Sequence, residues 1–232
     1  MALPILETPT YELVLPSSGK KIVYRPFLVK EFKVLLTTLE SDESEVTRVL
    51  IDLIDNCTFK KLNVSELAHF DIEYIFINLR AKSIGEITEL VYKCECEHSN
   101  NISINLLDVK IIKSDENFSN KIMIDDSVGV IMRYPRFNEM VDIYDNLKSE
   151  KIIELVAACI DKVFTKEEIF ESKDSTKEEL LTFVESFSKN QFEKLEKFFL
   201  SMPKVIHEMK HNCENCNKEN EIVLEGLQNF FV

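Results

Sequence analysis

Glycine is scarce in this chain: only Gly19, Gly85, Gly129 and Gly226 occur. They are too scattered to build the glycine-rich loops that cradle phosphates in dinucleotide- and NTP-binding proteins, so those cofactor classes fall away. Tryptophan is absent and histidine appears four times. Neither a His-Glu-x-x-His pair nor a Gly-x-Ser-x-Gly elbow is present, and an enzyme has no support. Positive charge is in deficit, with 28 Lys+Arg against 41 Asp+Glu and a formal net charge of −13. A phosphate-neutralising surface would have to be a local exception, so nucleic acid is not expected as a partner. No stretch approaches the roughly 18 apolar residues of a membrane span. The densest, Ile152 to Phe164, is interrupted by Glu154, Asp161 and Lys162 and reads as a buried helix. Met1 to Glu7 lack a basic region followed by an apolar run, so no secretory signal and a reducing compartment are expected. No low-complexity linker and no repeat array stand out.

What is there is a chain of 232 residues with 45% hydrophobic content, enough for a sizeable core in one domain or two small ones. Tyr11 to Leu15 and Lys21 to Tyr24 flank Pro16-Ser17-Ser18-Gly19-Lys20 and predict a hairpin. From Leu28 the period becomes helical. Leu28, Phe32, Leu35, Leu36 and Leu39 share one face, and Val46, Val49, Leu50, Leu53 and Ile54 another. A third helix is expected from Ser65 as N-cap to Gly85 as left-handed C-cap. Strand-like runs follow at 87–92, 102–106, 109–112, 121–124 and 128–134. Helices return over 138–148, 151–164 and 176–210, the last kinked or restarted by Pro203. His69, Asp71 and Glu73 read as a solvated polar face, and the apolar end Leu224 to Val232 as tucked into the core.

Six cysteines divide by context. Cys57 and Cys159 stand in helical, apolar surroundings and read as inert small hydrophobes. Cys94-Glu95-Cys96 and Cys213-Glu214-Asn215-Cys216 are polar, and each pair precedes a strand-like run, Ile102 to Leu106 and Ile222 to Leu224. A turn bearing two thiolates followed by a strand, twice, is how a zinc ribbon is made. At a Zn–S distance of about 2.3 Å, tetrahedral geometry sets neighbouring sulfurs about 3.8 Å apart, within reach of a tight turn. Cys94, Cys96, Cys213 and Cys216 are therefore the candidate metal ligands, with His98 and His211 near enough to replace one. Four free thiols or a disulfide are the plainer readings, and a reducing compartment disfavours the disulfide. Four thiolates leave no open position for water, so such a zinc would be structural, its negative charge met by backbone N–H groups and by Lys93, Lys210 and Lys218. The expected architecture is α+β: an N-terminal β-hairpin, helical segments and a middle β region in one intertwined unit over 1–232. A zinc-ribbon-like submodule, 87–112 with 207–232, joins the middle of the chain to its C-terminus.

Ser18-Gly19-Lys20-Lys21 with Tyr24-Arg25-Pro26-Phe27-Leu28-Val29-Lys30-Glu31 come first along the chain. Leu79-Arg80-Ala81-Lys82-Ser83-Ile84-Gly85-Glu86, the two cysteine pairs, and Leu224-Glu225-Gly226-Leu227 before Phe230-Phe231 follow. In that order, from about residue 8 to the end, they resemble the T4-type bacteriophage baseplate hub proteins. The resemblance covers both a hub subunit and a hub assembly factor, or chaperone. It implies late expression and assembly in the cytoplasm of an infected bacterium, contact with other hub proteins of the tail baseplate, and a place there in the virion for a subunit. It implies no reaction and no small-molecule substrate. The cysteine pairs alone map onto it, as metal ligands. Two other classes compete: a zinc ribbon that binds nucleic acid or RNA polymerase, and a metalloenzyme in which His98 or His211 opens the site.

Overall fold

The computed structural model describes residues 6–38, 43–112, 119–144 and 149–226. Helices and small antiparallel sheets are mixed along the chain, an α+β architecture as expected. The chain divides into two compact units, Met1–Ile112 with Lys204–Val232, and Lys113–Pro203.

The first unit opens on Tyr11–Val14 (β1) and Lys21–Tyr24 (β2), in which Leu13 pairs with Ile22 and both are buried beside Leu15 and Tyr24. Gly19 turns the chain at φ +69°, a conformation in which a Cβ would be strained. Val29–Thr38 (α1) and Glu43–Cys57 (α2) follow. His69–Ser83 (α3) buries Phe70, Ile72, Ile75, Phe76, Ile77 and Leu79. Buried residues fall on most sides of it, Asp71 and Arg80 among them. It starts later than Ser65 suggests, because the Ser65 hydroxyl donates to Asn63 (2.9 Å) and Ala68 takes the N-cap position. Residues 64–66 make a single 3₁₀ turn instead. Nor is Gly85 a left-handed cap: it stands at φ +153° after Ile84. Ile87–Lys93 (β3), paired with Ser99–Asn105 (β4), and Lys110–Ile112 (β5) come next.

The second unit holds a four-stranded sheet. Its order is Lys121–Met123 (β6), Gly129–Met132 (β7), Ile160–Phe164 (β8) and Ile169–Glu171 (β9). Around it lie Phe137–Tyr144 (α4), Ser149–Ala158 (α5), Lys177–Glu185 (α6) and Lys189–Leu200 (α7). Val130, Met132, Val156, Ile160, Leu195 and Phe198 centre its core.

Two expected helices are corrected. The one expected over 151–164 stops at Ala158, since the Cys159 carbonyl accepts the Arg133 N–H (2.8 Å) and Ile160 to Phe164 join the sheet. The one expected over 176–210 is three elements: α6, α7 and the strand Lys204–Asn212 (β10). The Gln191 side chain accepts from the Ser188 N–H (2.8 Å) where the helix restarts, and Pro203, without an N–H, precedes the change to strand. β10 belongs to the first unit, between β5 and Glu219–Glu225 (β11). The C-terminal 227–232, expected in the core, and 145–148, expected in a helix, lie outside the described residues.

Candidate metal centre

Two hairpins of the first unit end in cysteine-bearing turns. The β3–β4 ladder runs in unbroken register from Ile87↔Asn105 to Lys93↔Ser99, and the β10–β11 ladder from Ile206↔Glu225 to Asn212↔Glu219. Alternation along β4 and β11 buries Ile102, Ile104, Ile222 and Leu224, which fixes both registers, because a one-residue slip would expose them all. At the first tip the Cys94 N–H donates to the His98 carbonyl (2.9 Å) and the Glu97 N–H to the Cys94 carbonyl (2.8 Å). At the second, the Cys213 N–H donates to the Lys218 carbonyl and the Asn217 N–H to the Cys213 carbonyl, both at 2.9 Å. Each turn closes through a left-handed residue, Glu97 at φ +66° and Asn217 at φ +55°. The first turn simply has one residue fewer, which is why it reads Cys-x-Cys where the second reads Cys-x-x-Cys.

All four sequence-predicted ligands meet. Cys94 Sγ lies 3.8 Å from Cys216 Sγ and Cys96 Sγ lies 3.6 Å from Cys213 Sγ. The four sulfurs are all within 4.8 Å of one another. Those spacings match the edge of a tetrahedron of thiolates around a metal, about 3.8 Å, so the cluster can hold an ion. Cys94 and Cys213 are buried, Cys96 and Cys216 exposed. Neither His98 nor His211 belongs to the convergent group; the His98 ring faces the Glu214 carboxylate at 4.0 Å. Cys57 and Cys159 stand apart, fully buried, their thiols pushed up to about 12 by burial.

The surroundings favour sulfur as an anion, unevenly. The Cys216 N–H is the largest influence on Cys213 and, with the Asn215 N–H and the Cys96 and Asn100 side chains, outweighs burial to bring its thiol down to about 6. The His98 N–H is the largest influence on Cys96 and holds it below the usual thiol range. At Cys216 the Lys218 N–H pulls down, yet Cys96, burial, Cys213 and Cys94 together push the thiol up to about 11. Four adjacent sulfurs cannot all carry charge without a cation among them.

The donors were only partly foreseen. Asn100 Nδ2–H points at Cys213 Sγ (3.7 Å) and Asn215 Nδ2–H at Cys96 Sγ (3.8 Å), while Asn220 Oδ1 lies 3.7 Å from Cys94 Sγ. Asn100 and Asn220 are buried. The signal available in the sequence was an asparagine between each cysteine pair and its strand. The lysines serve differently from expectation: Lys218 reaches Glu95 (2.6 Å) across the two turns, and Lys210 bonds Glu219 (2.9 Å) and Glu221 (3.1 Å). His69, Asp71 and Glu73 do not form a solvated face. Asp71 is fully buried, and both its oxygens accept from Ser17, one from the backbone N–H and one from the hydroxyl.

Compared with known proteins, the sequence matches the family model described as T4 bacteriophage base plate protein over residues 8–232. It is similar to a protein named baseplate hub assembly protein gp26 of Enterobacteria phage T4. The two are 26% identical over 215 residues, which cover 92% of this chain and 94% of that protein. No solved structure matches.

Proposed function

Because this chain belongs to the T4 bacteriophage base plate protein family, we propose that it helps to build the central hub of a contractile tail's baseplate through protein contacts and without catalysis, as a hub assembly factor. The observation that carries this is the match along nearly the whole of both chains to a protein named for hub assembly. Its partners on this reading are other hub proteins in the cytoplasm of the infected bacterium. Mass spectrometry of purified virions beside a pull-down from infected cells tests it. Capture with hub proteins and absence from the virion is the expected result; a stoichiometric copy in the virion tail makes it a structural subunit instead.

On the same reading the Cys94, Cys96, Cys213 and Cys216 centre holds one structural zinc. Four thiolates close the coordination shell, so the ion locks two hairpins together and offers nothing to a substrate. Elemental analysis of protein purified without chelator should give about one zinc per chain; none would remove the ion from the proposal. The zinc-ribbon alternative, a nucleic-acid binder, is not favoured by the charge at the turns. Glu95 and Glu214 are largely exposed there, and the neighbouring Lys210 and Lys218 are engaged by glutamates.

A further inference from the structure

After β2 the Arg25 guanidinium grips Glu31 with both arms, Nη1 to Oε2 (2.9 Å) and Nη2 to Oε1 (2.7 Å). Nη1 also donates to the Pro26 carbonyl (3.0 Å), the Leu28 N–H to Glu31 Oε2 (2.7 Å), and the Arg25 N–H to the carbonyl of Cys57 (3.0 Å), where α2 ends. After β7 the Arg133 guanidinium grips Glu139 identically, Nη1 to Oε2 (2.9 Å) and Nη2 to Oε1 (2.7 Å). Nη1 donates to the Tyr134 carbonyl (3.1 Å), the Arg136 N–H to Glu139 Oε2 (2.8 Å), and the Arg133 N–H to the carbonyl of Cys159 (2.8 Å), just past α5. The same five bonds recur atom for atom, although little of the intervening sequence agrees.

The coincidence extends along the chain. Each clasp follows a β-hairpin and is followed by two helices and a buried cysteine. A three-residue 3₁₀ turn comes next, Val64–Glu66 in one case and Ser172–Asp174 in the other. In each, two residues then lead into a helix, α3 from His69 and α6 from Lys177. Each series closes with a hairpin whose tip carries a cysteine pair and whose returning strand carries a buried asparagine. Two insertions separate the series: β8–β9 after Cys159, and α7 before β10.

We infer that the chain is an internal duplication: Tyr11–Asn105 and Lys121–Glu225 are two copies of one module, and the four-cysteine centre is where their closing hairpins meet. The centre repeats the placement of one buried asparagine per hairpin, though not each bond it makes. Asn100 is held by its own hairpin, donating to the His98 (3.2 Å) and Tyr92 (3.5 Å) carbonyls, and reaches the opposite turn at Cys213 Sγ and at the Glu214 N–H (2.9 Å). Asn220 donates to the Lys218 (3.0 Å) and His211 (3.5 Å) carbonyls, and its Oδ1 accepts from the Cys94 thiol (3.7 Å), where Asn100 offers Cys213 an N–H. Tyr92 faces Asn100 and His211 faces Asn220 in their ladders, so the two amides occupy the same register position. Asn100 and Asn220 are positioning residues, one from each copy. That assignment rests on the metal reading above; the duplication itself does not.

The test exchanges parts within the full chain. The segment Arg25 to Glu31 is replaced by the sequence of Arg133 to Glu139, and in a second variant the reverse. If the clasps are copies, each graft melts within about 5 °C of the parent, and the grafted clasp with its arginine changed to lysine does not. Hydrogen exchange of Arg25→Lys and Arg133→Lys should show about tenfold faster exchange in the two helices behind the altered clasp only. Glu31→Gln and Glu139→Gln serve as milder variants if either lysine protein fails to fold. Grafts that unfold, or a clasp whose loss goes unnoticed, overturn the duplication. Asn100→Ala and Asn220→Ala should each speed zinc release to a chelating dye by about tenfold, and a response from only one of them overturns the pairing of half-sites. Clasp exchange is read again after chelation. Interchangeable clasps in a chain that never binds zinc would leave the duplication standing and remove the metal; zinc-bearing protein with failed grafts would do the opposite.

Discussion

Burial alone would raise the carboxyl pKa of Glu31 and of Glu139. The facing arginine fork and a backbone N–H more than reverse it, so both stay below the usual carboxylate range. The folded chain therefore binds fewer protons at these sites than the unfolded chain does. Their contribution is complete above the ordinary glutamate value of about 4.3 and is lost as pH falls through the lower folded values. The urea midpoint should drop between about pH 5 and pH 3, and Glu31→Gln or Glu139→Gln should be less stable at neutral pH and flatter across that window. Asp71 has the opposite sign: burial holds its pKa above the usual range despite two bonds from Ser17. Whatever its protonated form contributes is present in acid and lost as pH rises from the ordinary aspartate value of about 3.9 through the higher folded one, so Asp71→Asn should flatten the curve just above that ordinary value. Arg25→Lys keeps the charge and loses the fork. With both side chains mostly buried, a cost of about 2 kcal/mol at neutral pH is expected from denaturant titration. None of these roles was legible in the sequence, where Arg25 and Glu31 were only letters in a resemblance. A clasp depends on the path of the loop between its ends, and an aspartate's burial on a hairpin far away in sequence.

Strands and helices were legible where one period ran long enough. The β1–β2 hairpin alternates around a Pro/Gly turn, and the α1 and α2 faces repeat at helical spacing. Ile160–Phe164 and Lys204–Asn212 were not. Short apolar runs satisfy either period, and what makes them strands is pairing with partners elsewhere in the chain. Gly129 shows how tight that pairing is: a Cβ there would run into the Phe164 ring, across the β7–β8 ladder. Gly129→Ala should push the ring aside and cost about 1–3 kcal/mol, seen as a lower melting temperature; an unchanged melt would mean the ring moves freely. Thr176 and Glu179 close a full capping box at the start of α6. Thr176→Ala should cost about 1 kcal/mol, with faster amide exchange confined to that helix.

The cysteine pairs were the most legible feature of the whole molecule because thiolate pairs in tight turns have few other uses. The asparagine that follows each pair was not, since an amide near a turn has many. In the fold, sulfurs 117 residues apart come within 3.6 Å. A cross-link closing a loop of that size restricts the unfolded chain by about 4–5 kcal/mol in the chain-entropy picture. If the proposed zinc bridges the turns, a strong chelator should therefore lower the melting temperature by roughly 10 °C, and re-addition of zinc should restore it. A melt indifferent to chelator would mean that no ion bridges the turns.

The long interval between the two cysteine turns also orders events during synthesis. A ribosome must make Cys94 and Cys96 well before it reaches Cys213 and Cys216, and until then the first turn has no mate. A chain truncated by early termination would carry an unclosed thiol pair, a chemical mark that tells it apart from a finished one.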